Sequence, residues 1–157
     1  KNLFFDTAKL AKGYYTEVFE AVRLKSWTED TTSFIKYFSG TAVYRTTFNF
    51  DKNPDTVNTV ELRMNELHNM ATVNVNGIDC GTVWTKPYAV DIKKAIKPGI
   101  NKIEIEVTNT WRNRLIGDEL MLQTRRTWLN SLYKLKDKPL LPSGIIGQVE
   151  IFTVWGE

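Results

Sequence analysis

The stretch that decides the fold runs over residues 75–118: VNGIDCGTVWTKPYAVDIKKAIKPGINKIEIEVTNTWRNRLIGD. Near its start stand Asn76-Gly77, two residues that tolerate positive φ, as a two-residue hairpin turn demands. The chain returns through Cys80, Gly81, Val83 and Trp84. A second turn follows at Lys97-Pro98-Gly99, with Pro setting φ and Gly accepting the positive value. Ile103, Ile105 and Val107 then alternate with Glu104, Glu106 and Thr108. That period of two predicts a strand with one dry face and one wet face.

Working outward, residues 42–50 place Tyr44, Phe48 and Phe50 on one side and Arg45, Thr47 and Asn49 on the other. Asp51-Lys52-Asn53-Pro54-Asp55 closes that strand. Val60, Leu62 and Met64 keep the same phase, residues 67–69 connect, and Ala71, Val73 and Val75 lead into the hairpin. Residues 148–155 read as a nearly continuous apolar strand, the pattern of a central position covered on both faces. Residues 1–15 show no clear period, and residues 17–24 fit strand or a helical turn, of which strand is the reading taken. In residues 119–138, Leu122, Leu129, Leu132 and Tyr133 fit a helical stripe that Arg125 and Arg126 interrupt, so a loop with helical turns is expected. Strand, turn and strand recurring at short spacing predict an all-β sandwich.

A chain of 157 residues with 42% hydrophobic content can build one core, so a single domain over residues 1–157 is expected. The 21 basic and 18 acidic residues leave a net charge of +3 without a basic stripe, which argues against a nucleic-acid partner. Lys134, Lys136 and Lys138 form the densest cluster and read as a solvated loop. The single Cys80 excludes an intrachain disulfide and a cysteine-based zinc site, and its setting suggests a small buried strand residue. No apolar run reaches the roughly twenty residues a bilayer-spanning helix needs. A start at Lys1 without a signal-peptide pattern suggests a piece of a longer protein.

Catalytic chemistry finds little support in the residues. The one imidazole, His68, has no nucleophile beside it and reads as a surface or connector residue. Glu104 and Glu106, at i and i+2 on a wet face, read as ordinary solvation rather than as a glycosidase pair. Asp51, Asn53 and Asp55 have the spacing of part of a calcium loop, but Pro54 and the absent distal Glu favour a plain turn. No catalytic residue, metal site or cofactor is expected. Gly144 and Gly147 lack a following Lys-Ser/Thr and read as bends, not as a phosphate cradle.

Sugar recognition needs planar donors and acceptors for hydroxyls and an aromatic face for the C–H side of a pyranose ring. Trp111, Arg112, Asn113, Arg114 and Asp118 supply those types within one short segment, directly behind Asn109. Asp118 is open to a second reading, in which it pairs with Arg114 or Arg112 to hold the segment, and Trp111 to one as a core plug. Trp84 and Tyr88, beside Pro87, read as packing residues.

Residues 76–118, with Tyr37-Phe38-Ser39-Gly40-Thr41-Ala42-Val43-Tyr44 upstream and Leu141-Pro142-Ser143-Gly144-Ile145-Ile146-Gly147 near the end, resemble a known family. It is the jelly-roll, galactose-binding-like domain of large glycoside hydrolases, of the family-two β-galactosidase type and of multidomain α-L-rhamnosidase-like enzymes of gut Bacteroidetes. The likeness covers most of the chain after Phe34. It implies a noncatalytic, carbohydrate-associated accessory domain of a periplasmic or extracellular enzyme, with an adjoining catalytic domain in the same polypeptide as partner. It also implies that the segment bearing Asn109, Trp111, Arg112, Asn113, Arg114 and Asp118 reaches the substrate, with Asp118 touching the sugar. Two rivals stand beside this reading. An autonomous carbohydrate-binding module would show an exposed aromatic pair on one rim, and a structural, protein-interaction sandwich would bury Trp111 and Arg114.

Overall fold

The computed structural model describes residues 2–3, 7–11, 16–19, 24–127 and 134–155. In chain order the elements are β1 (Asn2–Leu3), β2 (Thr7–Ala11), β3 (Thr16–Phe19), α1 (Ser33–Lys36), β4 (Thr41–Phe50), β5 (Val57–His68) and β6 (Met70–Val75). They continue with β7 (Ile78–Val83), β8 (Ala89–Asp91), β9 (Gly99–Thr108), α2 (Arg112–Leu120) and β10 (Gly144–Trp155). One sheet has the order β1-β10-β5-β8 and the other β3-β2-β4-β9-β6-β7, every pairing antiparallel. The alternating strands explain the layers. Tyr44, Phe48, Val73, Ile103 and Ile105 point inward from the six-stranded sheet and meet Val60, Leu62, Val149 and Ile151 from the other in one buried cluster. The result is an all-β jelly-roll sandwich.

The hairpin falls where the sequence puts it. Asn76 has φ 53° and Gly77 φ 83°, both in the left-handed region, and β6 and β7 flank them. The Asn76 side chain also anchors the turn: its Nδ2 donates to the Ala95 carbonyl and to Asn101 Oδ1, both at 2.8 Å, and its Oδ1 accepts from the Lys102 N–H. Asn101, fully buried, in turn accepts from Lys97 N–H and donates to the Lys97 and Gly99 carbonyls. The two turns of the opening stretch are thus tied together through a pair of asparagines.

Three expectations are corrected and one is met. Residues 1–15 are not irregular throughout, because β1 and β2 form there by pairing with β10 and β4, a long-range choice that no local period announces. The expected strand near residues 17–24 is β3, Thr16–Phe19. Strand β10 does lie inside its sheet, but Phe152 and Val154 are about two-fifths exposed, so only one of its faces is covered. The segment after β9 is helical over Arg112–Leu120 rather than a loop. Of the stripe expected in residues 119–138, Leu122 lies in a short 3-10 turn, while Leu129, Leu132 and Tyr133 lie outside the described residues.

Candidate functional site

Helix α2 leaves the end of β9 and is fixed by polar side chains that point into the fold. Asn109, at the strand's end, accepts from the Gly40 N–H at 2.9 Å and donates to the Phe38 carbonyl and to Ser143 Oγ. One turn on, Asn113 donates to the Leu141 carbonyl at 2.7 Å and to Ser143 Oγ at 3.0 Å, and accepts from the Leu141 N–H. The backbone N–H of Arg114 donates to Ser39 Oγ. Ser143 itself donates its N–H to Ser26 Oγ, and its carbonyl accepts from Trp27 N–H. Three separated pieces of sequence, residues 37–40, 109–118 and 141–147, therefore meet around two buried asparagines and one buried serine.

Close approach requires the glycines here. A Cβ on Gly117 would lie 2.6 Å from the Tyr37 side chain, so this helix packs against residue 37 as only glycine permits. Gly144 has φ 92°, and a Cβ there would lie 2.4 Å from Trp27 Nε1 and 2.7 Å from Tyr44 Oη. Those two atoms are themselves hydrogen-bonded at 2.5 Å, indole N–H to phenol oxygen. Burial pushes the Tyr44 hydroxyl up to about 12, so it stays neutral in that bond.

The Asp118 carboxylate lies in the same frame. It is 1% exposed. Its Oδ1 accepts from Arg114 Nη2 at 2.5 Å, and its Oδ2 accepts from the Thr127 N–H at 2.7 Å and from Thr127 Oγ1 at 2.5 Å. Burial alone would raise its pKa, but the hydrogen bonds from Thr127 and Arg114 outweigh that and hold it below the usual carboxylate range. A ligand-accessible Asp118 is therefore corrected: both oxygens are spent on tying α2 to residue 127, nine positions on. Arg114 is likewise mostly covered, its side chain 12% exposed.

What α2 presents outward is different. Trp111 is 68% exposed, not a core plug. Beside it, Arg112 donates from Nη2 to the Pro139 carbonyl at 3.4 Å, while its Nε, like that of Arg114, is buried without an acceptor among the described residues. Trp84 is 73% exposed, which corrects its reading as a packing residue, whereas Tyr88 does pack on the core. The period of two would have shown this, since Val83 points inward and its neighbour must point out. The register sets Val83 opposite Ala71 and Ala71 opposite Val107, so Trp84, Met70 and Trp111 all sit at one end of the six-stranded sheet. Two strand spacings, about 10 Å, separate the backbones of β7 and β9 there.

Other candidates resolve simply. Asn53 accepts from the Asp55 N–H and Asn49 donates to Asp51, so that segment is a capped turn. His68 Nε2 lies 2.7 Å from Glu66 on the same strand face. Among the described residues no three His, Cys, Asp or Glu side chains converge on a point where a metal ion would sit, and no helix is long and apolar enough to cross a membrane.

Two facing antiparallel sheets, closed at one end by a helix on a buried asparagine frame, define a galactose-binding-like sandwich. The chain belongs to the glycosyl hydrolase 2 galactose-binding domain-like family, whose model matches residues 20–130. It is similar to a Formosa agariphila protein provisionally named β-glucuronidase, 36% identical over 153 residues, covering 82% of this chain and 13% of that protein. It is similar also to the structure of a rhamnosidase from Novosphingobium sp. PP1Y, with TM-score 0.84 and 33% identity, covering 96% of this chain and 14% of that one. The β-glucuronidase of Ruminococcus gnavus shares the fold at TM-score 0.56 and 15% identity, over 69% of this chain and 20% of that one. The chain thus spans only a small part of the length of these glycoside hydrolases.

Proposed function

We propose that this chain is a noncatalytic, carbohydrate-associated domain of a glycoside hydrolase, and that it lends the rim bearing Trp111 to the substrate site of an adjoining catalytic domain. The observation that carries this reading is Trp111 held in solvent, 68% exposed, between Asn109 and Asn113, which are buried and hydrogen-bonded. A large aromatic kept outward on a rigid frame offers a flat face for the C–H side of a sugar ring. Arg112, half-buried beside it, adds a guanidinium whose Nη2 end lies at the surface. In this reading Trp111 and Arg112 make the contact, and Asn109, Asn113, Arg114 and Asp118 are positioning residues. Hydrolysis belongs to the catalytic domain, and the protein works in the periplasm or outside the cell, which cell fractionation tests.

A panel of nitrophenyl glycosides tests the division of labour. The full polypeptide should turn over at least one of them, and the 157-residue chain none. Turnover by the chain alone that disappears on changing Glu104, Glu106 or Asp118 would overturn the reading.

The second reading, an autonomous carbohydrate-binding module, is favoured by one observation: Trp84 and Trp111 are both exposed at one end of the same sheet. It requires the chain alone to bind a neutral oligosaccharide through both rings, and titration with loss of binding in Trp84→Ala would support it.

A further inference from the structure

The outward face of the six-stranded sheet carries a groove at the end away from Trp84 and Trp111. It is open to solvent, has a volume of about 830 Å³ and is lined by Arg45 and Thr47 of β4, Asn74 of β6, Lys102 and Glu104 of β9, and Lys97 of the preceding turn. Register puts Arg45, Glu104 and Asn74 in one row across three strands, with Thr47 and Lys102 paired in the next. Arg45 and Glu104 satisfy each other at 2.6 Å. Lys97 and Lys102 are exposed, and no carboxylate of the described residues lies within ion-pair distance of either ammonium. Three cations against one anion give the lining a charge of +2, most of the chain's +3.

We propose that this groove binds an acidic oligosaccharide, its carboxylates facing Lys97 and Lys102 and its hydroxyls facing Thr47, Asn74 and the Arg45–Glu104 pair. The floor decides against a peptide: β4, β9 and β6 use their backbone groups on one another, so strand addition has no free edge here. Single-stranded nucleic acid would want aromatic platforms, and no aromatic ring of the described residues lines the groove. What remains on offer is hydroxyl, carboxamide, paired guanidinium and free ammonium, the groups that match a polyhydroxylated anion. The groove shares no lining residue with the Trp111 rim.

Trigalacturonate is the probe, maltotriose the neutral control, and amide chemical shifts of the 15N-labelled chain the readout. Trigalacturonate should shift the amides of Thr47, Asn74 and Lys102 with millimolar affinity, and about 0.3 M salt should weaken it several-fold. Lys97→Ala with Lys102→Ala should weaken it by about tenfold or more at unchanged melting temperature, since both side chains are solvent-exposed. Equal shifts with maltotriose, no shifts at about 10 mM trigalacturonate, or salt-insensitive binding would each overturn the proposal.

Discussion

Asp118 shows at single-residue scale how a polar group can serve a site without touching a ligand. Its depressed pKa means that the folded state favours the carboxylate. The stability it contributes is therefore present above the ordinary value of about 3.9 and is lost as pH falls through the lower, folded-state value. Asp118→Asn should lower stability at pH 7 by about 3 kcal/mol, because Arg114 loses its buried counter-charge. Denaturant melts from pH 7 down to about pH 2 should show the two proteins converging on the acid side, below about pH 4. Cys80 shifts in the opposite sense: burial, with Asp79 and Asp91 adding, raises its thiol, so alkylation near neutral pH should be slower than for a free cysteine. The residue types of the site were readable from sequence, but their burial was not. Asn109, Asn113 and Asp118 look like sugar ligands on paper because the partners that consume them, Phe38, Gly40, Leu141, Ser143 and Thr127, lie up to 71 positions away.

Among the elements, the β6–β7 hairpin and the α2 frame behave differently under substitution. A Cβ on Gly77 would meet nothing within 4 Å, so Gly77→Val carries only the cost of positive φ on a β-branched residue, about 1–2 kcal/mol. Gly144→Ala adds a collision with Trp27 and Tyr44 to its own positive φ and should cost more, on the order of 3 kcal/mol. A smaller loss for Gly144→Ala than for Gly77→Val in denaturant melts would contradict the packing described. The hairpin was legible because Asn-Gly acts through its own backbone, within two residues. Helix α2 was not, since Trp111 at its N-cap makes no side-chain capping bond and its apolar face is short. What holds it helical is the tertiary pull of Asn113, Gly117 and Asp118 on three distant segments.

For the whole molecule, the alternation of β4, β6 and β9 made the sandwich legible, while the strands of the first nineteen residues form only because β4 and β10 offer partners. The molecule then separates into a buried frame and two outward features, the Trp111 rim and the cationic groove. The central claim is that the frame serves to present the rim. Kinetics and melting temperature of Trp111→Ala and Asn113→Ala, made in the full-length polypeptide, test it most directly. Trp111→Ala should leave the melting temperature almost unchanged and lower kcat/KM for glycoside hydrolysis by about tenfold, the loss of a stacking contact of roughly 1–1.5 kcal/mol. Asn113→Ala should lower the melting temperature, since it leaves the part-buried Leu141 N–H without its acceptor and takes one donor each from the Leu141 carbonyl and Ser143 Oγ, at a cost of about 2 kcal/mol. An unchanged kcat/KM in Trp111→Ala, with the enzyme fully active, would contradict the account.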